Sequence, residues 1–427
     1  MSNYNCSRNI IFPFITTLLL QVISLNSHAN NTENDFEHLS SLHCKTYLAD
    51  RLFDGEVLRN HAAIMITGKK IRRVGTAEEL SGLCLHEINL GDATIMPGFI
   101  ESHAHVTFQD VPQYKVLQHG ITTARDVGGP LLKSIGGIGE LRLLSSGPII
   151  QAPGGYPLIL FGSSNEDAHH ASNIVGVEAD SPEEGRRLVQ HFYEAGAVII
   201  KISLEPGGEQ GAPWSSSGHG HGGENTGLPW PILSEETTIA IVEEAHSLGL
   251  RVTAHVGENT GVERALIAGV DEYTHIPCAG IEPSLLQRAV DQGVTFVTTL
   301  DTLSACHGID NNAHALAYLG AEFIYGSEIG HNDVPWGINA EELNRMLSLT
   351  GMEVIDLFKS ATSHAGKNLD IPLLGNLTKG APADVIAVKG NPFEKFKLLE
   401  YPDLVISGGK IVVNNFSKYN KNHIEDR

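Results

Sequence analysis

The sequence predicts an α/β chain: a (β/α)8 TIM-type barrel joined to a small β-domain stitched from both chain ends. Three observations carry this. Apolar, β-branched runs alternate with helix-like stretches through the middle of the chain, and short β-rich runs of one turn-broken texture both open and close it. Histidine, lysine and acidic residues then sit at the ends of several apolar runs. Composition sets the outer limits. The 427 residues include 50 acidic and 29 basic side chains, a formal net charge of −21, and 41% are hydrophobic. Such a chain can bury a large core, which excludes disorder, collagen and small disulfide scaffolds. Its charge argues against nucleic-acid or anionic-membrane partners, which are negative themselves. The 21 histidines make metal ligation by some of them a candidate.

Residues 1–29 read as a cleavable leader. A polar start with one cation (Asn3–Arg8) precedes an apolar run (Ile10–Leu25), and Ser27-His28-Ala29 offers the small residues of a cleavage site. The run contains Pro13 and is short for a bilayer span, which disfavours a transmembrane anchor. The expected destination is periplasmic or secreted, with no membrane association after cleavage. Cys44, Cys84, Cys278 and Cys306 remain, and an oxidising compartment permits Cys44–Cys84 and Cys278–Cys306 pairs. Four small buried hydrophobes are the open alternative. No CxxC pair is present, which disfavours a thiolate zinc site.

The β-domain is expected from residues 30–97 and 373–416, the barrel from 98–372, and a polar tail from 417–427. In the first part the β-rich runs are Thr46–Ala49, Ala63–Ile66 and Ile71–Gly75; in the last they are Asp384–Val388 and Leu404–Ser407. Between them, strands are expected at Ala93–Ile100, Ile121–Ala124, Pro148–Gln151, Val198–Ile202, Arg251–Ala254, Glu272–Thr274, Val294–Thr298 and Glu322–Tyr325. Helices are expected at Pro182–Ala195, Glu235–Leu248, Gly261–Ala268, Glu282–Asp291 and His314–Leu319. Ser234 before two acids is an N-cap with favourable dipole charges. Strands this apolar are buried on both faces.

The chemistry gathers at the strand ends. His103 and His105 are two apart on an extended run, so their imidazoles point the same way. Lys201 ends the fourth run, His255 the fifth and His275 the sixth, and Glu328 follows the eighth. Polar residues at the C-terminal tips of barrel strands read as catalytic.

The motifs MPGFIESHAH (Met96–His105), GITTARDVGG (Gly120–Gly129) and GNLTKGAPAD (Gly375–Asp384) resemble the amidohydrolase superfamily, in its imidazolonepropionase-like and Xaa-Pro-dipeptidase-like branch. The resemblance covers nearly the whole chain after the leader and implies that the β-domain is a sandwich. It also implies a site of two divalent metal ions, zinc or another such as Mn²⁺. His103 and His105 would hold one, His255 and His275 the other, and Lys201, carboxylated to a carbamate, would bridge them. A hydroxide shared by the metals would attack a carbonyl, and Glu328 would handle the proton. The family pattern has an aspartate where this chain has Glu328. The added methylene displaces the carboxylate, so Asp301, His331 and Asp333 stand as substitutes.

The implied activity is cleavage of a carbon–nitrogen bond in a small amide, dipeptide or N-acyl amino acid; a lactone or ester would suit the same attack. The rival reading is a one-metal deaminase, since His255-Val256-Gly257-Glu258 resembles the His-x-x-Glu of that class, with Glu258 protonating the ring. A binding protein without activity is the remote alternative. Candidate substrate contacts are Tyr156, Arg125, Glu258 and His331, with Trp230 or Trp336 on the pocket wall. Arg125 has a structural alternative in an internal ion pair. A glycine- and histidine-rich loop, Gly207–Gly223 with His219 and His221, follows the fourth strand. The oligomeric state is open, a homo-oligomer included.

Overall fold

The computed structural model describes residues 44–161, 175–215 and 227–416. The leader, the tail 417–427 and the pair His219 and His221 lie outside the described residues. No described helix is long and apolar enough to cross a membrane.

Among the described residues eighteen strands occur in chain order: β1 (Cys44–Phe53), β2 (Leu58–Thr67), β3 (Lys70–Thr76), β4 (His86–Asn89), β5 (Ala93–Pro97), β6 (Phe99–Ala104), β7 (Ile121–Asp126), β8 (Arg142–Ser145), β9 (Ile149–Gln151), β10 (Gly176–Glu178), β11 (Ile200–Ser203), β12 (Val252–His255), β13 (Glu272–Tyr273), β14 (Thr295–Val297), β15 (Glu322–Ile324), β16 (Val385–Lys389), β17 (Leu404–Ser407) and β18 (Lys410–Asn414). The first five and last three form one sheet, ordered β18-β17-β16-β5-β1-β2-β3 with β4 beside β1. The chain ends meet where β5 pairs antiparallel with β16, Pro97 opposite Val385 and Ala93 opposite Lys389. The sandwich expectation takes the form of a single hydrogen-bonded sheet. Its outer strand β3 bonds to the segment before β16, through Ile71 N to Ala381 O at 2.9 Å and Gly380 N to Ile71 O at 2.8 Å. The sheet thereby curls back, and part of an exposed edge is covered.

The run expected at Ala93–Ile100 is two strands, divided at Gly98. A side chain there would meet Thr122, whose nearest atoms lie 2.2 Å from a built Cβ. Glycine thus lets the chain pass from one sheet to the next at van der Waals contact with β7.

The middle strands are parallel. They form a sheet ordered β10-β9-β11-β12-β13-β14-β15 and a second ordered β6-β7-β8. Hydrogen bonds run across both gaps between them. Val198 N donates to Ser145 O at 2.9 Å, and His105 N donates to Ile329 O at 2.7 Å. Strands β6, β7, β11 and β12 are buried at every residue, their charged and polar side chains included, as strands covered on both faces are. The helix Pro182–Ala195 starts where Ser181 accepts the Glu184 N–H, with proline in its first turn, and stops at left-handed Gly196. Helix Ile309–Leu319 begins five residues before the apolar run that announces it. Three helices after β15, Ala340–Thr350, Val354–Ser360 and Ser363–Asn368, lie where no element is expected.

Both cysteine pairs are disulfides, Cys44–Cys84 and Cys278–Cys306. An aromatic cluster joins the β-sheet to the parallel layer. Phe358 packs on Phe53 of β1 (6.2 Å), on Phe99 of β6 (6.1 Å) and edge-on to Phe393 (4.7 Å). Phe358 has no exposed surface. Truncating it opens a cavity between the two layers, so Phe358→Ala is expected to cost about 3–5 kcal/mol. Denaturant unfolding measures this; a cost below about 1 kcal/mol would show that the cluster does not join the layers.

Candidate active site

The C-terminal ends of the parallel strands gather His103, His105, Lys201, His255, His275 and Glu328, and all but His103 line one cavity. All are buried except for small faces of His105 and Glu328 turned to that cavity. The nitrogens converge. His103 Nε2 lies 3.2 Å from His105 Nε2 and 3.3 Å from Lys201 Nζ. The other ring nitrogen of His103 donates to Thr274 O at 2.8 Å, so Nε2 presents its lone pair inward. His275 Nδ1 meets Thr299 Oγ1 at 2.8 Å, and His255 Nε2 meets Glu205 Oε2 at 3.1 Å. Each bond holds one nitrogen and frees the other, as metal-ligating histidines require. One nitrogen each from His103 and His275 and an oxygen of Glu328 lie within 4.8 Å of one another, a possible metal site.

Electrostatics favour neutral ligands. Burial, followed by the nearby Lys201 charge, holds His103 and His105 well below the usual imidazole value and His255 at about 3. Burial likewise lowers Lys201 far below the ordinary ammonium value and raises Glu328, each partly opposed by the other's charge.

Two residues near these groups hold left-handed backbone that L side chains rarely adopt: Thr299 at φ 46° and Glu328 at φ 62°. One follows β14 and braces His275; the other follows β15 and turns its carboxylate into the cavity, 3.9 Å from His105 Nε2. Such strain, of order 1–3 kcal/mol each, persists where neighbouring structure enforces it and clusters at functional sites.

Residues 226–412 match the amidohydrolase family. Ochratoxinase of Aspergillus niger is 27% identical over 418 residues, spanning 84% of this chain and 84% of that protein. The chain is thus similar, over its C-terminal part by family and over most of its length by relative, to the amidohydrolases. Solved structures share its fold. The A. niger ochratoxinase has a TM-score of 0.69 at 22% identity, covering 87% of this chain and 96% of that one. A Xaa-Pro dipeptidase with methionine in its active site has 0.68 at 23%, covering 86% and 99%. These likenesses support a hydrolase acting on carbon–nitrogen bonds, and the family that residues 226–412 match is typically metal-dependent.

Tyr156 and His331, two of the expected substrate contacts, line this cavity. Two other expected substrate contacts need correction. Arg125 lies away from the cavity wall, fully buried, its guanidinium on Glu272 at 2.5 and 3.2 Å and its Nε on Ser102 O at 2.8 Å. The internal ion pair is its place, because a buried guanidinium needs a counter-charge more than a free face. Glu258 caps the helix Asn259–Ala268, accepting Thr260 N–H at 2.8 Å and Gly261 N–H at 2.6 Å. Both its oxygens face the helix N-terminus, and Glu258 is not among the residues that line the cavity.

Asp301 accepts Asn339 Nδ2–H at 2.8 Å, and Asp333 is exposed, so neither takes the place of Glu328 on the wall. Trp336 is exposed elsewhere, and Trp230 stands behind Tyr156, stacked on it at 6.0 Å. The tryptophan on the wall is Trp214, which sequence reasoning missed, with Phe108 and Phe161. Glu205 and Glu209 were missed too. Burial lifts them to about 7 and about 8. Glu205 was findable, because Lys201, Ser203 and Glu205 alternate on one extended run.

The Arg125–Glu272 pair lies beneath this site. Burial pushes Glu272 up, but Arg125 and Arg251 outweigh it and hold the carboxyl below its ordinary value. The pair's contribution is therefore full above the ordinary carboxylate range and is lost as pH falls through the lowered value. Glu272→Gln is expected to cost about 3–5 kcal/mol at neutral pH, since it strands a buried charge. In urea unfolding the gap to wild type should narrow in acid. A cost that stays constant into the acid range would count against the pair.

Proposed function

We propose that the protein hydrolyses a small amide, such as a dipeptide or N-acyl amino acid, using two divalent ions and Glu328 as acid–base. His103 and His105 would hold one ion and His255 and His275 the other, and a carboxylated Lys201 would serve both. The observation that carries the reading is the convergence of His105, His255, His275, the buried Lys201 and the strained Glu328 on a single cavity, with His103 directly behind them.

The donor set fits such ions. Nitrogen and oxygen ligands suit zinc, and each of His103, His255 and His275 has one ring nitrogen already held by an oxygen. Lys201 fits the bridging position only as a carbamate, because an ammonium has no lone pair to offer. Its lowered pKa favours the neutral amine, the form that adds to CO₂. When bound, the ions polarise the amide carbonyl and ease deprotonation of water near neutral pH. Glu328 takes that proton and returns it to the leaving amine. Its left-handed backbone turns the longer glutamate into the cavity, which offsets the added methylene. Tyr156 and His331 contact the polar part of the substrate, while Phe108, Phe161 and Trp214 suit an apolar or aromatic group.

The wider architecture belongs to the same reading. The two parallel sheets close into one (β/α)8 barrel, supported by the hydrogen bonds across both gaps. The barrel comprises residues 98–372 and the β-domain 30–97 with 373–416. Residues 1–29 direct export, and two disulfides suit an oxidising compartment.

Glu328→Gln is expected to lower kcat by about 10²–10⁴-fold on a hydrolysable dipeptide or N-acyl amino acid. Lys201→Ala should lose bound metal, counted by atomic emission, together with activity. A Lys201→Ala protein that keeps full metal content and turnover would sink the two-metal assignment.

A further inference from the structure

We propose that Glu342, on a helix beyond the last parallel strand, is a positioning residue that fixes the turn after β14 and, through it, the ring of His275. The proposal rests on the metal-dependent reading above.

Glu342 has no exposed surface and is the third residue of the helix Ala340–Thr350. A glutamate at that place ordinarily reaches back to the N–H of its own cap residue. Here the cap is Asn339, and its N–H donates instead to the Tyr325 hydroxyl at 2.9 Å. The Glu342 carboxylate leaves its helix for another segment. Its Oε1 accepts Leu300 N–H at 3.0 Å, and its Oε2 accepts Asp301 N–H at 2.7 Å. Asn339 Nδ2 adds a third tie, to Asp301 Oδ2 at 2.8 Å. Successive backbone donors this deep in the fold need acceptors, and one carboxylate meets both.

What the turn carries gives these bonds their role. Thr299, immediately before Leu300, holds left-handed backbone, and its hydroxyl meets His275 Nδ1 at 2.8 Å. With the proton on Nδ1, the Nε2 lone pair is free to ligate. The same turn borders the one that ends in Glu328. Thr299 N–H donates to Gly326 O at 2.9 Å, and the Thr302 hydroxyl donates to Ser327 O at 2.9 Å. Strained backbone persists only where neighbours enforce it, and at Thr299 the enforcing bonds on the next two residues come from Glu342. Glu342 thus sets Thr299, and Thr299 sets the ring.

The test uses the full-length protein and reads zinc affinity by chelator competition, together with amide hydrogen exchange at residues 299–301. Thr299→Val removes the hydroxyl at nearly constant shape and is expected to weaken zinc about 10–100-fold, while Thr299→Ser keeps the hydroxyl and should restore most of the affinity. Glu342→Gln sets an amide N–H against one of the two backbone donors. It should speed exchange at Leu300 or Asp301 about tenfold and weaken zinc about tenfold. Joined to Thr299→Val it should weaken zinc no further, because both act along one chain of contacts. Wild-type protein that binds no zinc overturns the metal-dependent reading and this role with it. Where wild type binds zinc, Glu342→Gln binding it equally overturns the role of Glu342 alone. Unchanged exchange at both amides, or a full additive loss in the double variant, overturns it too. Should Glu342→Gln fail to fold, Glu342→Asp, which keeps the charge and shortens the reach, takes its place in the same comparison.

Discussion

The buried ion pair of Arg125 and Glu272 is the constraint on which the rest of the site depends. It spans the interior between β7 and β13, and Arg125 also reaches Ser102 O on β6 while Asn368 Nδ2 donates to Glu272 at 2.7 Å. A buried pair of this kind gains little net stability over well-packed apolar groups, because desolvation consumes most of the attraction. What it does here is positional. It ties strands that carry the site to one another, in an interior whose burial opposes a charge on Lys201. A lysine kept from protonating is a lysine available for chemistry.

Above that floor, His103, His255 and His275 are each set by a different backbone or side-chain oxygen, supplied by another strand end. Glu101 shows the principle most plainly. Its buried carboxyl accepts the His103 N–H at 2.9 Å and the Ser327 N–H and hydroxyl, so β6 and the turn beyond β15 move as one. That turn leads directly into Glu328, whose strained backbone could not persist without such anchoring. The geometry of the ligands is thus a property of the strand ends jointly.

How much of this was legible follows from which features are periodic. The alternation of β-branched runs with helical text exposed the parallel layer, and the period of two placed His103 with His105 on one face. Lys201 was readable as the end of an apolar run, although its strand continues to Ser203. The role of Arg125 was not readable, because its partner lies 147 residues away and no local pattern announces a long-range pair. Glu209 and Trp214 follow glycines in a segment without period, so only the folded chain brings them to His255. The helices after β15 escaped notice for a different reason. Their buried sides mix small and polar residues, such as Glu342, Ser360 and Ser363, with the apolar ones, which blurs the amphipathic stripe.

The mouth of the site also depends on chemistry outside it. Cys278 lies three residues beyond His275, and its disulfide to Cys306 binds together the loops that follow β13 and β14. Gly308 N donates to Cys278 O at 2.8 Å, and His307 N donates to Gln210 O at 3.2 Å. Gln210 adjoins Glu209, and Gly211 sits so close to Ala305 that a side chain there would collide with its carbonyl at 1.8 Å. The segment bearing Glu209 and Trp214 therefore rests against loops that the disulfide holds. A wall fixed in this way loses little freedom when a substrate packs on it, and that is where a preformed cavity gains over a mobile one. The oxidised cysteines serve the binding surface through this contact, in addition to restraining the unfolded chain.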